Sequence, residues 1–384
     1  MKSVLTSINL GIAGAGGRGG SFKNACDALE SVRVHAVCDR YEDSLDEIAE
    51  RLGADEKYTD FEDMLEKSEL DAVLVGTPMP FHAPQSILAL QNDLHVLSEV
   101  TAGVSIEECR ELVATANTSG GTYMMAENAN YQKPVVLMKE LVRQGLFGTP
   151  YYAEGEYLHE LKERDERRIA TRGYDSEQWL FWRRKWQNGV DGVTYGTHSL
   201  GPVLQWMPGD RVASVCCAGS GKHYSDPSGE KYAEDTSVML CKMSSGGLAK
   251  IRVDMISDRP HAQSNYQLQG TDGCYESGRA HGEKNRIWLR SKCDDPNTWL
   301  DLAELEEAYL PEMWREEAET AAKSGHGGSD YFVLKDFIAA ICGEKPVPIG
   351  IHEAMDMTLP GLVSQKSISE GGRWLDVPDS REWS

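Results

Sequence analysis

The chain has 384 residues, 40% hydrophobic and 26% charged, which is ordinary for a globular protein and long enough for two cores rather than one. Its net charge of −22 repels nucleic acid and anionic membrane surfaces, so neither is expected as a partner. One early Lys and no apolar run precede the first strand, so neither a signal peptide nor a transmembrane helix is expected. None of the nine cysteines sits in a Cys-x-x-Cys pair, and adjacent Cys216 and Cys217 point to opposite faces of a strand. Reduced thiols in the cytoplasm are therefore expected, with no metal.

In chain order, a strand over Ile8 to Ala13 ends in glycines and leads to a helix over Ser21 to Leu29. A strand over Val32 to Cys38, a helix over Leu45 to Leu52 and a buried strand over Ala72 to Val75 follow. Next come a helix over Pro84 to Leu90, a strand over His95 to Leu97, a helix over Ile106 to Ala116 and a strand over Thr122 to Ala126. Strands separated by helices at this spacing predict a doubly wound parallel sheet. After Ala126 the pattern changes. A helix over Pro134 to Gln144 is followed by strands at Tyr151 to Leu158, Val212 to Ala218, Thr236 to Cys241, Ala249 to Met255, Tyr266 to Gln269 and Ile287 to Arg290. Strands in succession predict a largely antiparallel sheet. A helix over Asp330 to Cys342 and the segment Glu353 to Ser369 close the chain. The expected fold class is α/β: an N-terminal Rossmann domain over residues 1–126, then an α+β domain over residues 127–384 whose C-terminal segment can pack back on the first.

Gly14-Ala15-Gly16-Gly17-Arg18-Gly19 is a G-x-G-x-x-G run at the first strand-to-helix turn. Gly14 permits the turn, Gly16 lets the backbone approach a pyrophosphate, and Gly19 lets helix and strand pack closely. Asp39 follows Gly19 by 20 residues at the end of the second strand, where an acid accepts from ribose hydroxyls. The pair points to a dinucleotide. Asp39 favours NAD by repelling the 2′-phosphate of NADP, whereas Arg40 could stack on adenine or attract that phosphate.

Gly76-Thr77-Pro78 with His82, and His95-Val96-Leu97-Ser98-Glu99, resemble the Gfo/Idh/MocA oxidoreductase family, most of whose members act on sugars and polyols with a nicotinamide. Where that family normally has Glu-Lys-Pro, with a lysine that assists hydride chemistry, this chain has Glu99-Val100-Thr101. Further motifs occur in order: Glu127-Asn128 with Tyr131, Tyr157-Leu158-His159, Trp182-Arg183-Arg184, Tyr195-Gly196-Thr197-His198, and Gly325-His326-Gly327-Gly328-Ser329-Asp330. This set is similar to the glycoside hydrolase family 109 branch, which also lacks the lysine and hydrolyses α-N-acetylgalactosaminides with NAD held in place.

The resemblance implies a carbohydrate substrate, with Tyr157 near the C2 proton and His198 near the C3 hydroxyl. His159 lies two residues from Tyr157, hence on its side of a strand. Tyr131, Trp182, Arg183, Tyr195 and His326 are expected around the sugar. Arg18, Thr77, Pro78 and Asn128 join the glycines, Gly17 included, around the cofactor. Glu127, at the end of the last Rossmann strand, fits either the nicotinamide side or a structural ion pair; Glu99 is open in the same way. His82 fits a turn beside the cofactor better than chemistry. Trp179, Trp182 and Trp186 at helical spacing fit a core stripe or a sugar-stacking face. The charged run from Lys162 to Arg172 fits a solvated loop or a subunit arm better than a binding patch. The leading expectation is an NAD-dependent glycosidase that oxidises C3, eliminates, adds water and reduces; a net NAD(P)-dependent sugar dehydrogenase and a non-catalytic nucleotide sensor are the alternatives. An exposed antiparallel sheet face predicts a homodimer or homotetramer.

Overall fold

Short aliphatic runs buried on both faces form the centre of a six-stranded sheet, as a parallel sheet covered by helices requires. Its strands are β1 (Ile8–Ala13), β2 (Val32–Cys38), β3 (Glu56–Tyr58), β4 (Ala72–Val75), β5 (His95–Ser98) and β6 (Tyr123–Met125), in the order β3-β2-β1-β4-β5-β6 and all parallel. The computed structural model describes residues 7–163, 182–226 and 229–383. They form two units: Met1–Tyr131, Glu316–Met355 and Asp379–Ser384 make the first, Gln132–Arg315 and Asp356–Pro378 the second.

Local chemistry explains the helices of the first unit. Glu42–Leu52 buries Leu45, Ile48, Ala49 and Leu52, one face at 3.6-residue spacing. Ser105 caps Ile106–Thr118 by accepting from the Glu108 N–H. The helix expected over Ser21 to Leu29 is shifted two residues towards the N-terminus: a 3-10 turn at Gly19–Phe22 runs into the α-helix Lys23–Asp27. β3 and the helix Phe61–Lys67 were not expected. The chain order reverses between β1 and β4, and the glycine turns Gly14 and Gly76 leave the carboxyl ends of those two strands. That switch point is where open α/β sheets bind ligands.

The second unit holds a nine-stranded sheet. Its strands are β7 (Pro150–Leu158), β8 (Val212–Gly219), β9 (Ser237–Met243), β10 (Leu248–Asp254), β11 (Ala262–Gly270), β12 (Gly273–Glu276), β13 (Arg286–Leu289), β14 (Leu300–Asp301) and β15 (Leu375–Asp376). The order is β14-β13-β12-β11-β7-β10-β9-β8-β15, antiparallel except where β7 pairs β10. The helix Thr197–Trp206 packs on β7, and Gly155 makes that possible: a Cβ there would lie 2.2 Å from the Ser199 carbonyl oxygen.

Two expectations change. Trp182 and Trp186, in the short helix Trp182–Trp186, are only half-buried and form no core stripe; Trp179 lies outside the described residues. Lys162 does not belong to a solvated loop. Its ammonium is buried against Glu160 at 3.1 Å and Asp258 at 2.7 Å, because an enclosed cation needs paired carboxylates. Residues 164–172 of that charged run lie outside the described residues. No helix among the described residues is long and apolar enough to cross a membrane.

Candidate functional site

In the first unit the loop after β1 is shaped by what a side chain would strike. Gly14 has φ +72°, and a Cβ on it would lie 2.5 Å from the Gly76 carbonyl oxygen. A Cβ on Gly16 would lie 2.9 Å from Asp39 Oδ2, the atom that accepts the Gly16 N–H at 2.8 Å. The loop therefore keeps a bare backbone with the Asp39 carboxylate at its rim, which fits a pyrophosphate followed by a ribose. Gly14 to Gly19 and Asp39 are the residues that would hold a dinucleotide. Arg40 is exposed, its guanidinium 5.9 Å from the Tyr41 ring centre. Thr77 donates its hydroxyl to Gln85 at 2.7 Å, and Pro78 precedes the 3-10 turn Met79–Phe81. His82 is buried, with Nδ1 2.8 Å from the Thr101 carbonyl and Nε2 2.8 Å from the Thr77 carbonyl. Burial pushes its pKa below the ordinary value, against the pull of the two carbonyls. It ties two loops together.

Arg18 does not extend freely from the loop. Its Nε lies 2.8 Å from Glu99 Oε1, and its two terminal nitrogens each donate at 2.7 Å to Asp330, a carboxylate with no exposure. His326 Nδ1 approaches the same carboxylate at 3.1 Å, and the Asn128 amide lies 3.5 Å from it. Burial raises the Asp330 pKa, but the Arg18 and His326 contacts outweigh it and hold the carboxyl well below the usual range. Glu127 is fully buried and accepts the Ala129 N–H at 3.0 Å. Tyr131, expected near the sugar, is buried with its hydroxyl donating to Asp336 at 3.0 Å; burial and that carboxylate push its pKa well up.

The second unit brings Tyr157, His159, Tyr195 and His198 into one cluster. Tyr157, next to last in β7, lies on the face that Gly155 opens to the helix Thr197–Trp206, whose first turn carries His198. The Tyr157 and His198 rings are 5.1 Å apart, and Tyr195 sits edge-on to both, at 5.6 and 5.3 Å. Pro202, four residues after His198, has no N–H to give the His198 carbonyl; the Tyr266 hydroxyl donates to it instead at 2.6 Å. The Tyr157 hydroxyl and the Gln263 amide nitrogen each lie 2.7 Å from His159 Nδ1, so with both as donors His159 is the acceptor. His261 packs edge-on to His159 at 4.5 Å. A phenol hydrogen-bonded to an imidazole, beside a second imidazole, can take up and pass on protons. Trp182 and Arg183, whose guanidinium stacks 4.4 Å from the indole, sit on their own short helix in this unit.

Four residues that contact these side chains, one in the first unit and three in the second, escaped the sequence reading. Asp330 was visible inside the Gly325-to-Asp330 motif but carried no assigned role. Tyr266 could have been sought once Pro202 was seen four positions after a key histidine. His261 and Gln263 carry no local signal, since only strand pairing brings β11 to β7. Among the described residues no group of three or more His, Cys, Asp or Glu is arranged to hold a metal.

Residues 131–383 match the family model described as glycosyl hydrolase 109, C-terminal domain, and residues 8–127 the one described as oxidoreductase family, NAD-binding Rossmann fold. A glycosyl hydrolase family 109 protein of Saccharopolyspora erythraea is 30% identical over 398 residues, covering 97% of this chain and 83% of that one. One of Shewanella woodyi is 28% identical over 411 residues, covering 98% and 85%. Levoglucosan dehydrogenase, solved in complex with NADH and levoglucosan, shares the fold with a TM-score of 0.79 at 16% identity, over 97% of this chain and 100% of that one. The cofactor is NAD, and the protein is an NAD-dependent enzyme that acts on sugars.

Proposed function

Because the chain belongs to glycosyl hydrolase family 109, we propose that it cleaves a glycosidic bond through transient oxidation at C3 of the sugar, with no net change in its cofactor. The observation that carries this reading is the Tyr157–His159 pair standing beside His198 in a chain that has Val100 where hydride-assisting relatives carry lysine. NAD held by the Gly14-to-Gly19 loop and Asp39 would supply a hydride acceptor, and afterwards a hydride donor, for C3. His198 takes the proton of the C3 hydroxyl as that carbon becomes a ketone, and returns it at the end. The ketone acidifies C2, and Tyr157 removes the C2 proton, handing its own hydroxyl proton to His159. The C1–O bond then breaks, and the leaving oxygen departs with the proton held on His159. The proton now on Tyr157 exchanges with solvent; water then adds its hydroxyl to C1 as Tyr157 protonates C2, and the remaining proton of that water restores the Tyr157 hydroxyl. Atoms and electrons balance as hydrolysis. Gln263 and His261 hold the His159 ring at the tyrosine; Tyr266 holds the His198 backbone.

An aryl glycoside should be hydrolysed over many turnovers by the purified protein with no nicotinamide added and no growth in NADH absorbance. Release of one NADH per sugar consumed, with the glycosidic bond intact, would replace this reading with a net dehydrogenase. Self-association belongs to the same proposal. Cys216 and Leu240 pair across β8 and β9, and with Val238 and Leu248 they are half-exposed on one side of the sheet. Light scattering should give a multiple of 42.5 kDa, and a monomer mass would contradict it.

A further inference from the structure

The cofactor loop is gripped by a residue far from its own motif. Asp330 receives both terminal nitrogens of Arg18 in a two-point pair at 2.7 Å each, across 312 positions of chain. The site is built for this contact. A Cβ on Gly325 would lie 2.3 Å from Asp330 Oδ2, and His326, Gly327 and Gly328 all have positive φ, at 53°, 67° and 99°. A non-glycine residue such as His326 rarely holds that conformation without neighbours that fix it. Here it sits with Nδ1 3.1 Å from the Asp330 carboxylate. Glu99 takes the remaining side of the guanidinium, so one cation faces two carboxylates. Its positive charge is already neutralised.

We propose that Asp330 is a positioning residue for NAD(H): it draws the Arg18 side chain away from the phosphates and braces the glycine loop so that bare backbone amides bind the pyrophosphate. Retention of the nucleotide then depends on the 325–330 turn as much as on the glycines, because a loop fixed in advance loses less freedom on binding. The inference rests on the cofactor assignment and not on the glycosidase reading. If Arg18 instead served as a phosphate ligand that Asp330 restrains, releasing it would tighten binding, so the two accounts differ in sign.

The experiment is fluorescence titration with NADH on the full chain, in wild type, Asp330→Asn, Arg18→Gln and the double variant, with near-ultraviolet circular dichroism as the check on folding. Each single variant should weaken NADH binding about tenfold or more, the scale of one charge-assisted hydrogen bond, and the double variant should be no worse than either. Unchanged or tighter binding in folded Asp330→Asn overturns the proposal. So does a double variant whose losses simply add. If Asp330→Asn does not fold, Gly325→Ala, which crowds the same carboxylate, is read in its place: weakened binding supports the brace and unchanged binding overturns it.

Discussion

Replacing His198 with alanine lowers turnover on the order of 10²-fold or more, the usual contribution of a positioned acid–base group, while melting stays near that of the wild type. The ring is half-exposed in the first turn of Thr197–Trp206, so its removal opens little cavity. The helix itself is held by other contacts: the Trp206 indole donates to the Val135 carbonyl at 3.1 Å, and Tyr266 holds the His198 carbonyl, which alanine keeps. The loss should therefore fall on kcat and on the first oxidation, seen as a slower single-turnover rise of NADH absorbance. A well-folded variant with a near-normal rate would return His198 to a packing role.

Tyr157→Phe should separate the two halves of the cycle. The phenylalanine ring keeps the contacts with His198 and Tyr195 and loses only the hydroxyl that meets His159 at 2.7 Å. Oxidation at C3 then survives, and elimination fails for want of a base, with steady-state hydrolysis down roughly 10²- to 10⁴-fold. The expected signature is accumulation of NADH on the enzyme after substrate is added, which the wild type does not show. Wild-type hydrolysis by Tyr157→Phe would remove the tyrosine from the chemistry.

Much of the first unit was legible because its signals are local. β1 and β4 end where apolar runs meet glycine, and Asp39 stands at a fixed distance from Gly19. β3 escaped because its three residues, Glu56–Tyr58, are polar or aromatic at an edge and too few to show alternation. β14 and β15, of two residues each, escaped for the same reason. In the site, Tyr157 on β7 and His159 just past the end of that strand are two positions apart, so their meeting could be foreseen. The meeting of Tyr157 with His198 could not. It depends on Gly155 admitting a helix that begins some forty residues later, a long-range packing choice with no periodic trace in sequence. Tyr131 shows the converse. Its motif suggested the sugar, but Asp336, 205 positions away, holds its hydroxyl.

The most direct measurement is hydrolysis of an aryl glycoside in heavy water by purified protein with no cofactor added, followed by analysis of the released sugar. If Tyr157 removes the C2 proton after oxidation at C3, each free sugar carries deuterium at C2, the C3 hydrogen is the one the substrate brought, and NADH absorbance does not grow. Free sugar without deuterium at C2 would mean that the bond breaks by direct displacement, and the redox-elimination account would be wrong.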